Sequence, residues 1–338
     1  MLQPTKELPQ MFKALIVNKQ EEQFSVEVQN LSLTDLPEGE VLIRVHYSSV
    51  NYKDSLASIP NGNIVTRYPF IPGIDLAGTV VSSSDSRFQE GDEVIATSYE
   101  IGVSHFGGYS EYTRIPAKWI VPLPSGLTLK EAMVIGTAGL TAALSVQRLI
   151  ENNVSPDKGK VLVTGATGGV GSFAVSILAK LGYEVEASTG KESEQDYLKK
   201  LGAINVISRD EVYDGKIRAL GKQKWFAAVD PVGGEPLASL LSQIEYGGSV
   251  AASGLTAGTK LPTTVFPFIL RGVNLLGIDS VYCPMEERLK IWDRLASDFK
   301  PANLEELIQE EVSLEQLPEV LPTLLKAQAR GRIIVNLN

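Results

Sequence analysis

The chain has 338 residues, enough for two domains with separate cores, and 43% hydrophobic against 21% charged residues is an ordinary balance for a folded globular protein. Its net charge of −9 argues against general nucleic-acid binding, and no uninterrupted apolar run reaches the ~18 residues of a membrane span. One cysteine, Cys283, rules out an internal disulfide, and with only two histidines, His46 and His105, a four-ligand Cys/His zinc site cannot be assembled.

Residues 1–10, MLQPTKELPQ, are polar and proline-containing and read as a loose extension. No signal peptide is legible, so the cytoplasm is the expected compartment. A strand is expected over Met11–Val17, and the pattern stays β-rich to about Pro124. Val41–Tyr47, Leu76–Val81 and Glu93–Thr97 are apolar or alternating runs separated by Gly, Pro, Ser and Asp clusters, the signature of a small barrel or sandwich. His46 falls inside a strand and is expected to be structural. His105 falls in the loop GVSHFGG, residues 102–108, where it can face a cleft.

Helix signals begin at Thr128. Thr128-Leu129-Lys130-Glu131 has the form of a capping box, and a long helical stretch is expected over Ala138–Asn152. Strand and helix then alternate. Strands are expected near 161–163, 183–187, 204–207, 225–229 and 247–252, with Val273–Gly277 extending the set; helices are expected near 192–201 and 234–243. That alternation predicts a doubly wound parallel sheet. A helix near 286–298, a strand near 307–312, a helix started by Ser313 and a last strand, Gly331–Val335, complete the chain. The last strand has no helix after it and is expected to join the first domain.

The stretch Val161–Gly171, VLVTGATGGVG, carries the chemistry. A β-branched run enters a glycine turn, and FAVSILAKLG then continues with helical periodicity. Strand, glycine turn and helix form the context of a dinucleotide fingerprint, read here as A-x-G-x-x-G over Ala166–Gly171. Glycines let the backbone turn tightly and approach a pyrophosphate while helix amides point at it. A methyltransferase or flavin protein can use such a turn too.

An NAD site usually carries Asp or Glu at the tip of the second strand, about 20 residues on. Here that strand ends in Ser188-Thr189-Gly190-Lys191, with Glu186 one step inside it, and the third strand ends in Ser208-Arg209. Hydroxyls and positive charges suit a 2′-phosphate, so NADP is favoured over NAD; the missing carboxylate also weakens the methyltransferase reading.

Several ordered stretches together resemble one family. They are Asn51-Tyr52-Lys53-Asp54, Ile71–Gly78, Gly107–Tyr112, Ile135–Gly139 and Gly165–Gly171, with Leu261–Val265 and Pro267–Arg271. Over Met11–Asn338 the chain is similar to the zinc-free medium-chain dehydrogenase/reductases, and within them to the YhdH/YhfP quinone oxidoreductase group, which includes acrylyl-CoA reductases. The resemblance implies an α/β protein. A GroES-like β-rich catalytic domain would span residues 11–134, completed by 300–338, and a doubly wound Rossmann domain would span 135–299. It implies NADPH as cofactor. Tyr52 would lie near the nicotinamide, and Thr167, Gly168, Gly169 and Val170 would take the pyrophosphate. Ser188, Thr189, Gly190, Lys191 and Arg209 would take the adenosine phosphate end. The stretches around Leu255, Ile269 and Ser280 would border the nicotinamide half, and Gln328 would lie near the cofactor. A homodimer through Rossmann edge strands near 250–270 is also implied.

The chemistry expected from this is hydride transfer to a small-molecule electrophile: a quinone, an enone or an enoyl-CoA such as acrylyl-CoA. Conjugate reduction leaves an enolate oxygen, and Tyr52 is the candidate catalytic donor to it. The alternative role for Tyr52 is stacking on the nicotinamide without chemistry. Asn51 and Asp54 are expected to fix the loop, and Lys53 to pair with Asp54 or meet an anionic substrate. Arg67, Arg114 and Lys118 are candidate coenzyme A contacts. The competing reading is an NADPH-binding protein with a non-enzymatic role such as nucleic-acid binding. No metal, nucleic-acid or membrane partner is expected.

Overall fold

Two kinds of strand set up two sheets. The computed structural model describes residues 8–21 and 23–338; the extension expected over residues 1–10 lies mostly outside them. In chain order, the first half contains β1 (Phe12–Gln20), β2 (Gln23–Leu31), β3 (Val41–Ser49), the short α1 (Tyr52–Ala57), β4 (Asp75–Ser83), β5 (Glu93–Thr97), β6 (Tyr112–Ile115) and β7 (Ile120–Pro122). The second half begins with α2 (Leu129–Glu151), β8 (Val161–Val163), α3 (Gly169–Lys180), β9 (Val185–Thr189), α4 (Gln195–Lys200) and β10 (Asn205–Ser208). It continues through β11 (Trp225–Asp230), α5 (Gly234–Leu241), β12 (Ile244–Ala252), α6 (Phe266–Arg271), β13 (Asn274–Gly277) and α7 (Met285–Leu295). The tail is β14 (Ile308–Val312), α8 (Leu317–Leu325) and β15 (Arg332–Asn336).

The central strands of the second half, β8, β9 and β11, are short and buried on both faces, as parallel strands covered by helices must be, while the outer β10 and β13 are largely exposed. Together with β12 they form a six-stranded sheet in the order β10-β9-β8-β11-β12-β13, parallel throughout. The order reverses at β8, so the ends of β8 and β11 open a crevice. β13 extends this sheet as the sequence suggests, and it is also the outer strand. The edge expected near 250–270 is therefore corrected: β12 is paired on both sides, and the outer strand is β13 at Asn274–Gly277.

The first half is mainly antiparallel. β15-β3-β4-β5-β7 run in sequence across one sheet with β14 beside β15, β6 pairs β3, and β1 with β2 makes a separate ribbon. β15 lies antiparallel to β3, with Ile334 opposite Ser49, so the C-terminal strand does complete the first sheet.

α2 carries the chain between the sheets. Its capping box forms as expected: Thr128 Oγ1 accepts from the Glu131 amide at 3.2 Å, and Glu131 Oε2 accepts from the Thr128 amide at 2.9 Å. The helix starts nine residues earlier than the expected Ala138 boundary suggests, but Gly136 interrupts it with φ +50°. A Cβ there would lie 2.5 Å from Asp75 Oδ2 and 2.8 Å from Arg332 Nη2. By length and composition alone α2 could cross a membrane, but 78% of its most apolar window is buried within the protein. Arg288, on α7, fastens the halves: its guanidinium donates to the Thr97 carbonyl at 3.0 Å and the Ser280 carbonyl at 2.9 Å.

Candidate active site

The glycine turn lies at the end of β8. Thr164 Oγ1 donates to the buried Asp230 carboxylate at 2.5 Å, joining β8 to β11 where the sheet order reverses. Burial raises the Asp230 carboxyl above its ordinary range, and its other oxygen accepts the Gly233 amide at 2.7 Å. Gly165 turns the chain with φ +54°. At Gly171 a Cβ would lie 2.4 Å from the Gly165 carbonyl oxygen, so only glycine lets α3 pack on the turn. A Cβ on Gly168 would meet only the Gly165 oxygen at 3.4 Å, which leaves that face of the turn open. α3 runs twelve residues, and its first-turn amides face this opening, an arrangement suited to a pyrophosphate.

The tips of β9 and β10 lie beside the turn. Ser188 is buried, and its carbonyl accepts the Ala166 amide at 3.1 Å. Thr189 Oγ1 lies 3.5 Å from Thr167 Oγ1 and accepts the Lys191 amide at 3.0 Å. The Arg209 guanidinium lies against Gly190, where a Cβ would come within 2.6 Å of its Nε. Thr189, Gly190, Ser208 and Arg209 line one cavity of about 420 Å³ together with the carboxylate-bearing Glu192, Asp210 and Glu211. Glu186 does not reach it: its carboxylate is held by Lys160 Nζ at 2.7 Å and Trp225 Nε1 at 2.7 Å. The tip therefore offers hydroxyls and a guanidinium, as the sequence suggests.

The C-terminal strand brings a third set of residues to the turn. The Gly331 amide donates to the Thr167 carbonyl at 2.9 Å, and the Arg332 side chain passes beneath Gly169. Arg332 is buried. It donates to the Val134 carbonyl at 2.9 Å, Asn51 Oδ1 at 3.2 Å and Ser49 Oγ at 2.8 Å, and lies 3.7 Å from the buried Asp75 carboxylate. Asp75 Oδ2 accepts from Asn51 Nδ2 at 2.8 Å and Ser49 Oγ at 2.7 Å, and Oδ1 accepts from Thr137 Oγ1 at 2.5 Å. A buried ion pair survives when its remaining hydrogen-bonding capacity is filled, as here. Sequence reasoning missed both members. The one signal was a carboxylate inside the apolar run Ile74-Asp75-Leu76-Ala77.

Asn51 caps α1, so this network fixes the start of the helix that carries Tyr52. Asp54 closes the capping box: its Oδ2 accepts the Asn51 amide at 2.9 Å, and its Oδ1 accepts the Ile74 amide at 2.9 Å. Those amides favour the carboxylate, but burial and then the nearby Asp75 charge outweigh them and push the Asp54 carboxyl up to about 7. Lys53 does not pair with Asp54, which corrects one expectation; its charge acts on Glu100 across the loop. Tyr52 is the first residue of α1, is 46% exposed, and its hydroxyl has no protein partner among the described residues.

The other expected residues are spread more widely. Ser280 is buried, and its hydroxyl accepts from Thr141 Oγ1 at 2.7 Å. Leu255, in the loop after β12, and Ile269, on α6, are 60% and 68% exposed. Gln328 is exposed within the turn at residues 327–331 whose end bonds Thr167. His105 has a packing role: Nε2 bonds the Arg114 carbonyl at 2.7 Å, the ring meets Trp119 edge-on, and burial lowers its pKa. His46 is structural, bonded to Asn338 Oδ1 at 2.6 Å and Thr79 Oγ1 at 3.1 Å. Arg114 reaches the Leu36 carbonyl and Lys118 lies over Trp119, so both are held on the surface of the first sheet.

Two family models match this chain: an alcohol dehydrogenase GroES-like domain over residues 37–125, and a zinc-binding dehydrogenase over residues 169–297. The residues do not fit the zinc in the second description. Cys283 is the one cysteine, His46 and His105 bond Thr79 and the Arg114 carbonyl, and no group of three His, Cys, Asp or Glu side chains among the described residues could hold an ion. The chain is 62% identical to the putative quinone oxidoreductase YhfP of Bacillus subtilis, covering 97% of this chain and 99% of that one. It is 51% identical to the acrylyl-CoA reductase AcuI of Ruegeria pomeroyi, covering 97% and 100%. The crystal structure of the Bacillus protein with NAD bound superposes with a TM-score of 0.95 over 97% of this chain and 99% of that one. That of Escherichia coli YhdH with bound NADPH, 47% identical, gives 0.93 over 96% and 100%. The turn at the switch point, the buried network behind α1 and these relatives agree: the chain is an oxidoreductase of the quinone oxidoreductase and acrylyl-CoA reductase group of the medium-chain dehydrogenase/reductases.

Proposed function

We propose that this enzyme is an NADPH-dependent reductase that delivers hydride to a quinone or an α,β-unsaturated carbonyl, acrylyl-CoA among them, without a metal. The observation that carries the reading is the junction at Arg332 and Gly331. One residue pair ties the open glycine turn to the cap of the helix bearing Tyr52, so phosphate-binding and substrate-side elements share one rigid support. When bound, the nicotinamide supplies the hydride. The amides of Gly168, Gly169 and Val170 with Thr167 bind its pyrophosphate, Ser188, Thr189, Gly190 and Arg209 bind its adenosine end, and Leu255, Ile269, Ser280 and Gln328 border it.

Tyr52 presents its hydroxyl to the oxygen that becomes negative as a conjugated carbonyl is reduced. A phenol hydrogen bond stabilises that oxygen, and the unpaired hydroxyl of Tyr52 is available for it. Asn51 and Asp54 hold the tyrosine in place. Lys53 is left for an anionic acceptor. The reading divides the chain into residues 11–134 with 300–338, facing substrate, and residues 135–299, facing cofactor; the kink at Gly136 supports a division there. A second copy of the chain is the expected partner. The outer strand β13 and the exposed Val265, Ile269 and Leu270 beside it support a homodimer. The compartment is the cytoplasm.

The test is oxidation of NADPH with acrylyl-CoA, 1,4-benzoquinone and crotonaldehyde side by side, with NADH as the control donor. A preference for acrylyl-CoA in kcat/KM makes the enzyme a thioester reductase; comparable rates on the other two make it a broad reductase of electrophiles. No turnover with any of them contradicts the proposal.

A further inference from the structure

The chain turns sharply after β5 and meets the other half of the molecule. Ser98 and Tyr99 both have left-handed backbone, with φ +64° and +52°, a costly conformation for two consecutive residues that are not glycine. Buried contacts hold this segment. The Ser98 amide donates to the Ile74 carbonyl at 2.8 Å, and a Cβ on Gly102 would lie 2.7 Å from the Gly73 carbonyl carbon. The Ile74 amide in turn bonds Asp54 of α1, so this loop and the helix bearing Tyr52 rest on one support. Across the joint, the Tyr99 amide donates to the Val281 carbonyl at 3.2 Å and the Tyr99 hydroxyl to the Cys283 carbonyl at 3.1 Å. The Tyr99 ring stacks on Trp119 with centroids 6.1 Å apart, and the Arg288 guanidinium lies 4.3 Å from its centre.

The outer end of the same segment is held differently. Glu100 Oε1 accepts the Tyr282 hydroxyl at 2.8 Å, and Oε2 accepts the Ser104 hydroxyl. The bonds from Ser104 and Tyr282, with a smaller part from the charge of Lys53, keep the Glu100 carboxyl below its ordinary range. Lys53 follows Tyr52 on α1, and Tyr282 stands two residues beyond Ser280. The Tyr282 main chain is pinned, since Asp279 Oδ1 accepts the Val281 amide at 2.7 Å and the Tyr282 amide at 3.3 Å. Its side chain is 63% exposed and can rotate away without disturbing the buried contacts beneath. An exposed hydrogen bond thus bridges the two halves beside α1, on a base that is strained and fixed.

We infer that Glu100 and Tyr282 form a strap over the mouth of the acceptor cleft and set the bulk of the acceptor that is reduced well; this rests on the reductase reading above. A slender acceptor passes beneath the closed strap. An acceptor with a wide group beyond the conjugated carbon reaches Tyr52 only with the Tyr282 hydroxyl released. Glu100 acts here as the hydrogen-bond acceptor of Tyr282 and not as a charge that sorts acceptors, so an amide in its place keeps the strap.

Crotonaldehyde and cinnamaldehyde carry the same conjugated aldehyde and are both neutral; a phenyl group in one replaces the methyl of the other. The ratio of kcat/KM for cinnamaldehyde to that for crotonaldehyde, measured with NADPH on the full-length protein, reads the strap. Tyr282→Phe and Glu100→Ala each raise that ratio about fivefold, the worth of an exposed charge-assisted hydrogen bond, and the double variant raises it no further. Glu100→Gln leaves the ratio within about twofold of wild type. An unchanged ratio in Tyr282→Phe overturns the inference, as does a Glu100→Gln ratio that rises as far as that of Glu100→Ala. Turnover of acrylyl-CoA with neither aldehyde reduced by any variant overturns it too, since release of the strap would then admit nothing. No turnover by wild type of acrylyl-CoA, benzoquinone or crotonaldehyde overturns the reductase reading itself.

Discussion

Tyr52 and Asp54 sit two residues apart and face opposite ways, one toward solvent and one into the protein. Tyr52→Phe keeps the ring and removes only the hydroxyl. Its kcat on crotonaldehyde is expected to fall about a hundredfold, with NADPH affinity nearly unchanged when followed by fluorescence titration. An equal kcat would assign Tyr52 to stacking alone. Asp54 makes a prediction in pH. Its carboxyl is pushed up to about 7 in the fold, against an ordinary value near 3.8 in the unfolded chain. Between those values the folded protein holds a proton that the unfolded chain has lost. The contribution of Asp54 is therefore full below about pH 4, declines as pH rises to about 7, and then stays low; its span is on the order of 4 kcal/mol as an upper bound. Thermal melts of wild type and Asp54→Asn across pH 5 to 8 test this: the Tm difference between the two should change with pH. A constant difference across that range contradicts a shifted Asp54.

At the scale of elements, α2 and the glycine turn carry the design. Gly136 interrupts α2 with φ +50°, and a Cβ there would strike Asp75 and Arg332. Gly136→Ala is expected to cost about 3 kcal/mol or more in chemical unfolding, because strain and collision add. A cost below about 1 kcal/mol would show that the network adjusts freely. Legibility followed local signal at this scale. The strands of the parallel sheet were plain in the sequence because each is a short apolar run next to a glycine or a helix, as in Val161-Leu162-Val163. The capping box at Thr128 was legible for the same reason: its partners are three residues apart. β2 was missed although Phe24, Val26 and Val28 alternate with polar residues; they are only half-buried, because β2 pairs with β1 alone in a separate ribbon. α1 was missed because six residues are too short for a helical period. Of the site, the glycine turn and the tips of β9 and β10 were legible. The Asp75–Arg332 pair was not, since its members are joined only by the pairing of β15 with β3. The loop position of His105 left its surroundings open in the sequence, since Trp119 and the Arg114 carbonyl that enclose it arrive from farther along the chain.

For the whole molecule, two buried arginines hold separate joints. Arg288 reaches the Thr97 and Ser280 carbonyls from α7, across the two halves, and Arg332 reaches Val134 and Asn51 from β15, within the first. Removing either leaves several buried acceptors unpaired. Arg288→Ala is expected to destabilise the protein by about 3 kcal/mol or more in denaturant titration, and a change within error would mean water replaces it without cost. The proposed reaction requires this framework to position an acceptor for hydride without a metal. The most direct test is NADPH oxidation by acrylyl-CoA on protein whose zinc content has been measured, before and after exhaustive chelation. The account predicts substoichiometric zinc and the same kcat in both samples. Loss of activity on chelation, restored by added zinc, would contradict it.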